Sequence, residues 1–331
     1  MGGCKSEKSS SSFMIKFLKE LLAIEKKPKK GLLAMEWVVL AYMLLTFLII
    51  FLCYTKVMNP HAMIWGRIHI LVTTLLMWGV YRMIPCRLIM IIRIVVQMAF
   101  LSWWYPDTYE INRILPNFDP FFASLEQQVF GCQPALLFSQ YFPHPVFSEL
   151  MDLGYASYYP LIAIVCFYYA FCRYKQLQEC VFIVMASFIT YYVIFIILPV
   201  TGPMFYYKAV GVEEIAKGVF PSVGDYFYSH QDYLPTPGWK DGFFYQMVVA
   251  AHDAGERPTA AFPSSHVGIT TILMWLAWQA RSKKLFLFLL PFYVLMCFAT
   301  VYIQAHYAID AIAGLITGTA FYWFFRCFKI T

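Results

Sequence analysis

Two short stretches in the last quarter of the chain carry residues able to do phosphoryl chemistry. The first reads Ala261-Phe262-Pro263-Ser264-Ser265-His266-Val267-Gly268. Serine is favoured at a helix start, where its oxygen takes a backbone N–H that has no partner within the helix. A helix beginning at Ser264 or Ser265 would aim its free N–H groups outward, a ready seat for phosphate, with His266 in the first turn. The second stretch reads Tyr302-Ile303-Gln304-Ala305-His306-Tyr307-Ala308-Ile309-Asp310. His306 and Asp310 are four apart, so on a helix they share one face. A carboxylate so placed can accept a hydrogen bond from one ring nitrogen and leave the other free as a nucleophile. His306, Asp310 and His266 are therefore the candidate catalytic residues, and Ser264 and Ser265 the candidate phosphate seat. Arg257, nine residues before His266, is a candidate clamp for the phosphate and otherwise an ordinary headgroup-facing arginine. A lone histidine at this depth would be read as an interfacial side chain reaching for water. Two histidines, an aspartate and a serine helix start at one membrane face point to a site.

The elements that must position these residues are membrane helices. Hydrophobic residues make up 60% of the 331 and charged ones only 13%, about half the usual share for a soluble domain. Long apolar runs recur at residues 36–55, 66–84, 87–104, 154–173, 179–199, 265–281, 285–304 and 308–326, which predicts eight spans. The chain therefore reads as an all-α polytopic membrane protein. Residues 1–31 form a cytoplasmic leader, 32–86 two accessory spans, and 87–331 a six-helix catalytic core. Two large outer segments, residues 105–153 and 200–264, mix aromatic, proline and acidic residues and are too apolar to be disordered linkers. They are expected to cap the outer mouth of the bundle. Within the leader, Phe13, Phe17, Leu18, Leu21, Leu22 and Ile24 form an apolar stripe, so residues 13–27 are expected to lie as a helix in the headgroup plane.

Charge sets the expected orientation. Of 25 lysines and arginines, seventeen fall on the side of the N-terminus and seven on the other, with Arg93 inside a span. Basic short loops face the cytoplasm, so both termini are expected inside and the two histidines at the outer face, periplasmic in a bacterium or lumenal in the Golgi. The net charge of +6 does not imply a nucleic-acid partner, because the basic residues alternate with apolar runs. The nine cysteines show no pairing or metal spacing, and Cys53, Cys166, Cys172, Cys180, Cys297 and Cys327 lie in or beside apolar runs, where a thiol reads as a small hydrophobe. No cleavable signal peptide is expected, since the first long apolar run begins after Gly31. Met1-Gly2-Gly3-Cys4-Lys5-Ser6 fits an N-myristoylation signal with Cys4 open to a second chain; the plainer reading is a polar leader.

The two motifs together resemble those of the type 2 phosphatidic acid phosphatase superfamily and its related lipid phosphotransferases. Those enzymes pair a P-S-x-H element with a later H-x-x-x-D element on a six-helix core, and the resemblance covers about residues 87–326. It implies that His306 attacks phosphorus to give a phosphohistidine, that Asp310 orients it, and that His266 protonates the leaving alcohol and then activates the acceptor. Two departures stand out. Phosphatases of the superfamily carry K-x6-R-P at the end of the third core helix, where this chain reads Leu198-Pro199-Val200-Thr201-Gly202-Pro203 with no basic residue before Lys208. They also carry an arginine six residues before the nucleophile, where this chain has Thr300. The block around Thr300, His306 and Asp310 is similar to that of the inositol phosphorylceramide synthases.

The expected function is thus transfer of a phospho-alcohol headgroup, phosphoinositol above all, from a glycerophospholipid to a ceramide-like acceptor. No metal and no other cofactor is expected. The alternative is a lipid phosphate phosphatase that uses water. A transporter with histidine proton relays would spread polar residues through several spans, whereas the motifs gather theirs at one face.

Overall fold

The computed structural model describes residues 17–328 and 330, so the Gly2 and Cys4 signal and most of the leader lie outside the described residues. Helices α1 (Ala34–Leu52) and α2 (Pro60–Met83) are the two N-terminal spans. The next, expected at 87–104, runs on to Asn112 as α3 (Arg87–Ala99) and α4 (Leu101–Asn112), joined at Phe100. Then come α5 (Asp119–Phe130), α6 (Pro134–Tyr141) and α7 (Pro145–Ala156), followed by α8 (Tyr158–Cys172) and α9 (Leu177–Ile197). The second outer segment holds α10 (Pro203–Val210), α11 (Val212–Ala216), α12 (Tyr226–Ser229) and α13 (Phe243–Gly255). The chain closes with α14 (Ser265–Gln279), α15 (Lys283–Tyr302) and α16 (Ala308–Arg326).

All eight expected spans have a helix at their place, but they are not equal. Six of the described helical stretches are long and apolar enough to cross a membrane, and a seventh counts if α7 and α8, bent by 48°, form one span. The exception is α14, whose 15 residues reach about 22 Å at 1.5 Å per residue, against a hydrocarbon core of about 30 Å. Helix α9 lies at the centre, the most buried of the candidate spans. Near the N-terminus the helix stops at Leu22 and not at residue 27. Ile24 instead bridges to Cys86, and Glu25 accepts hydrogen bonds from Tyr81 and Tyr174. Those contacts turn the chain toward the bundle end and break the expected surface helix.

Buried ion pairs fasten the two N-terminal spans to α3 and α4. Arg93 of α3 donates to both oxygens of Glu36 of α1, and Arg67 of α2 to both of Asp107 of α4 at 2.9 and 2.7 Å. Fork-to-carboxylate geometry suits such a pair in a medium where an isolated charge is very costly. Polar residues inside the spans are thus more numerous than the motifs alone suggested, but these four are paired with one another.

Candidate active site

The site is built where α14 and α16 cross. Their backbones touch because glycines face each other: a Cβ on Gly318 would sit 2.3 Å from the Gly268 carbonyl oxygen, and one on Gly314 would sit 2.5 Å from that of Ser264. This close crossing brings the start of α14 beside the start of α16. His266 Nδ1 and His306 Nε2 consequently face each other at 3.3 Å, although they are 40 residues apart. His266 is held between aromatic rings, with Tyr155 stacked at 4.7 Å and Tyr158 tilted at 4.3 Å.

His306 is set by backbone, not by a carboxylate. Its Nδ1 lies 2.8 Å from the carbonyl oxygen of Ala261, which can only accept, so Nδ1 carries the proton and Nε2 keeps its lone pair. Asp310 was expected to fill that role by its i, i+4 spacing. Its Oδ2 is 3.7 Å from Nδ1, and the same oxygen accepts the N–H of Tyr307 at 2.8 Å. The reason is that His306 precedes α16: Asp310 is the third helical residue and caps the helix start, while His306 sits in the turn before it. Ala261 carried no chemical signal in the sequence, because its contribution is a carbonyl that any residue would supply. Two residues in the left-handed backbone region flank this arrangement, Ala260 (φ 69°) and Gln304 (φ 64°). They re-aim the chain beside Ala261 and His306, a conformation that costs of order 1–2 kcal/mol for a residue with a Cβ.

Burial holds His306 well below the ordinary histidine range, at about 4. It is therefore a neutral imidazole at physiological pH, with Nε2 open toward His266. Since Asp310 acts at 3.7 Å and through no direct hydrogen bond, Asp310→Asn is expected to lower turnover by roughly 10–100-fold, not the several orders of magnitude typical when a tautomer is lost. Steady-state rates of the purified variant check this, and a loss of about 10⁴-fold would restore the direct orienting role.

The phosphate seat differs in part from expectation. Ser264 is fully buried: its Oγ accepts the N–H of Val267 at 3.4 Å, and its own N–H donates to the Asp310 carbonyl at 3.0 Å. It is a structural cap. The N–H groups of Ser265 and His266 remain without an acceptor among the described residues, so the open helix start begins one residue later than Ser264. Arg257 does not join the histidines. Its guanidinium folds back onto the Glu256 carbonyl at 2.9 Å. No hydrogen bond or ion pair among the described residues links a lysine or arginine to His266, His306 or Asp310.

Where the phosphatases carry cations, this chain has buried polar structure. Thr300 is fully buried, and its carbonyl accepts the His306 N–H at 3.0 Å. The Thr201-Gly202 loop is pinned by Asp119, a residue outside both sequence motifs. Its carboxylate accepts the N–H of Thr201 (2.6 Å), the Thr201 hydroxyl (2.9 Å), the Gly202 N–H (2.9 Å) and the Tyr307 hydroxyl (3.0 Å). One buried carboxylate thus ties α5, the loop before α10 and the residue after His306. Gly202 (φ 89°) is required here, since a Cβ would meet the Ala305 carbonyl oxygen at 2.6 Å. Glu126 of α5 adds to the same rear wall by accepting the Ile309 N–H at 3.2 Å, and burial pushes it up to about 8. The only hint in the sequence was an acidic residue amid the aromatic run Phe118-Asp119-Pro120-Phe121-Phe122.

The arrangement amounts to a free imidazole nitrogen facing a second imidazole, beside an open helix start, at the end of a membrane bundle. No group of three or more metal-ligating side chains occurs among the described residues. No curated protein and no solved structure matches the chain. The family model of the PAP2 superfamily does match it, over residues 121–324, a stretch that holds His266, His306 and Asp310. With more than half its length so matched, this integral membrane protein belongs to the PAP2 superfamily, whose members are phosphatases and phosphotransferases.

Proposed function

We propose that the protein moves a phospho-alcohol headgroup, phosphoinositol in the first instance, from a glycerophospholipid to a ceramide-like acceptor through a phosphohistidine on His306. In the first half-reaction His306 Nε2 bonds to phosphorus as the bond to the diacylglycerol oxygen breaks, and His266 gives that oxygen a proton. In the second, His266 takes the proton of the acceptor hydroxyl, whose oxygen bonds to phosphorus as the bond to Nε2 breaks. The Ala261 carbonyl keeps the proton on Nδ1, and the Asp310 carboxylate lowers the cost of the positive ring formed in each step.

The observation that carries the choice of a diester is the charge around the histidine pair. Arg257 is hydrogen-bonded to the Glu256 carbonyl, Thr300 stands in place of an arginine, and Asp119 lies behind the Gly202 loop. A dianionic monoester loses more solvation than a monoanionic diester on entering such a site and needs more positive charge in return. Lipid substrates are supported by an apolar groove of about 350 Å³ between α3, α4, α8 and α9. Tyr159 lines it, next in the chain to the Tyr158 that packs on His266. The histidine face is proposed to be outer. The support is that Arg87, Arg173, Lys175, Arg281, Lys283 and Arg326 all gather at the opposite end, as the charge rule asks of a cytoplasmic end.

The test is an assay of purified enzyme with labelled phosphatidylinositol, with and without ceramide, in the presence of EDTA. The expected product is labelled sphingolipid that forms only with ceramide and at an unchanged rate in EDTA. Phosphatidate should release inorganic phosphate poorly, and Thr300→Arg should raise that release. Brisk phosphate release from phosphatidate with no headgroup transfer would replace this reading with the phosphatase one. Activity lost in EDTA and restored by Mg²⁺ or Zn²⁺ would point to metal-assisted chemistry.

A further inference from the structure

We propose that the end of the bundle opposite the histidines carries a second binding site, for the headgroup of an anionic phospholipid. A cleft of about 1310 Å³ opens there between the ends of α8, α14 and α16 and the starts of α3 and α15. Arg87, Arg173, Lys175, Arg281, Lys283 and Arg326 line it, and no carboxylate among the described residues does. None of the six takes part in an ion pair among the described residues. The acidic residues that touch the wall are otherwise engaged. Glu25 receives the hydroxyls of Tyr81 and Tyr174, and Glu179 receives the Gln279 amide.

Three of the cations are fixed by the fold. Arg87 lies over the Tyr174 ring at 4.3 Å, and its Nε is buried without a hydrogen-bond partner. Arg173 donates to the Ala280 carbonyl at 3.2 Å, and Arg326 lies 5.2 Å from the Trp323 ring. Lys175, Arg281 and Lys283 are exposed. Six like charges around one concavity repel each other, and an anion seated among them relieves that repulsion. Topology alone asks for positive charge at this end, but not for a hollow. The hollow opens where α14 stops at Gln279 while α16 runs on past Tyr322, which donates to the Gln279 side chain at 3.0 Å, to Arg326. A span too short for the bilayer draws headgroups inward, and here they would meet the six cations.

The rim selects a lipid over a free anion. Phe171, Trp278, Leu287 and Trp323 line the same cleft and are exposed, Trp278 by 68%. They offer apolar surface for the glycerol and upper acyl chains, with tryptophan at the depth where it commonly sits in membranes.

Native mass spectrometry of the full-length, delipidated protein in neutral detergent tests this. Dioleoylphosphatidylglycerol is expected to bind about tenfold or more tighter than dioleoylphosphatidylcholine. The triple variant Lys175→Gln/Arg281→Gln/Lys283→Gln, whose side chains hold nothing in the fold, is expected to lose that preference by about tenfold. A control triple at the same end but outside the cleft, Lys26→Gln/Lys27→Gln/Arg82→Gln, should keep it. Equal loss in both triples would reduce the effect to general charge, and an unchanged cleft variant would remove the site. Inorganic phosphate that displaces the lipid at equal concentration would overturn the lipid assignment.

Discussion

Replacing His306 by alanine is expected to lower turnover by roughly 10⁴-fold or more, the scale seen when a nucleophile is removed from a site whose groups act as a unit. The expectation rests on geometry: Nδ1 is committed to Ala261, and Nε2 keeps the ring's lone pair, which among the described residues faces only the Nδ1 of the second histidine, His266, at 3.3 Å. His306 is 3% exposed, so alanine also opens a small cavity, and the variant should be compared at matched expression and thermal stability. Rapid quenching with labelled substrate should trap label on His306 in the unmodified enzyme and none in the variant. Label recovered on another residue would remove the assignment. The acid side of the pH profile carries the same information. Burial holds His306 at about 4, and only the neutral ring attacks. Activity limited by His306 should therefore persist as pH falls through about 6 and decline only near the lowered value. An acid limb near about 6.5, where an unperturbed histidine titrates, would mean that another group limits the rate.

His266→Ala is expected to cost about 10²–10⁴-fold with a lipid substrate, the range for loss of a positioned acid or base. The loss should depend on the leaving group. A dialkyl lipid phosphodiester releases a poor alkoxide that needs a proton, whereas an aryl phosphodiester releases p-nitrophenolate, which does not. The first burst of p-nitrophenol from the variant should approach that of the unmodified enzyme, while turnover onto a lipid alcohol stays slow, because that step needs His266 as base. Equal losses for both leaving groups would make His266 a packing residue between Tyr155 and Tyr158.

Much of this protein is legible along the chain, for a local reason. Spans announce themselves because about 20 consecutive residues must be predominantly apolar, and helix placement followed from that for α1, α2, α9, α15 and α16. The histidine pair was legible because Pro263-Ser264-Ser265-His266 and His306 with Asp310 are short strings of unusual residue types. What failed was whatever depends on where a helix begins. Asp310 and His306 share a face only if both are helical, and α16 starts between them at Ala308. That small difference turns Asp310 into a cap and hands the orienting bond to the Ala261 carbonyl. Likewise Arg257 is close to His266 in sequence, but its side chain is spent on its neighbour's carbonyl. Asp119 is 188 residues from the Tyr307 hydroxyl that it receives. Such a pairing leaves no trace in composition or period, because a hydrogen bond depends on distance in space and not along the chain. The shortness of α14, by contrast, is legible: its expected run, residues 265–281, is one of the short ones, and the helix ends at Gln279, two residues before Arg281 (φ 51°). Residue types and their spacing were enough to name the groups able to do the chemistry and the membrane around them. Which atoms hold those groups was settled by packing, because backbone carbonyls, caps and close glycine crossings take their places only once the helices have come together.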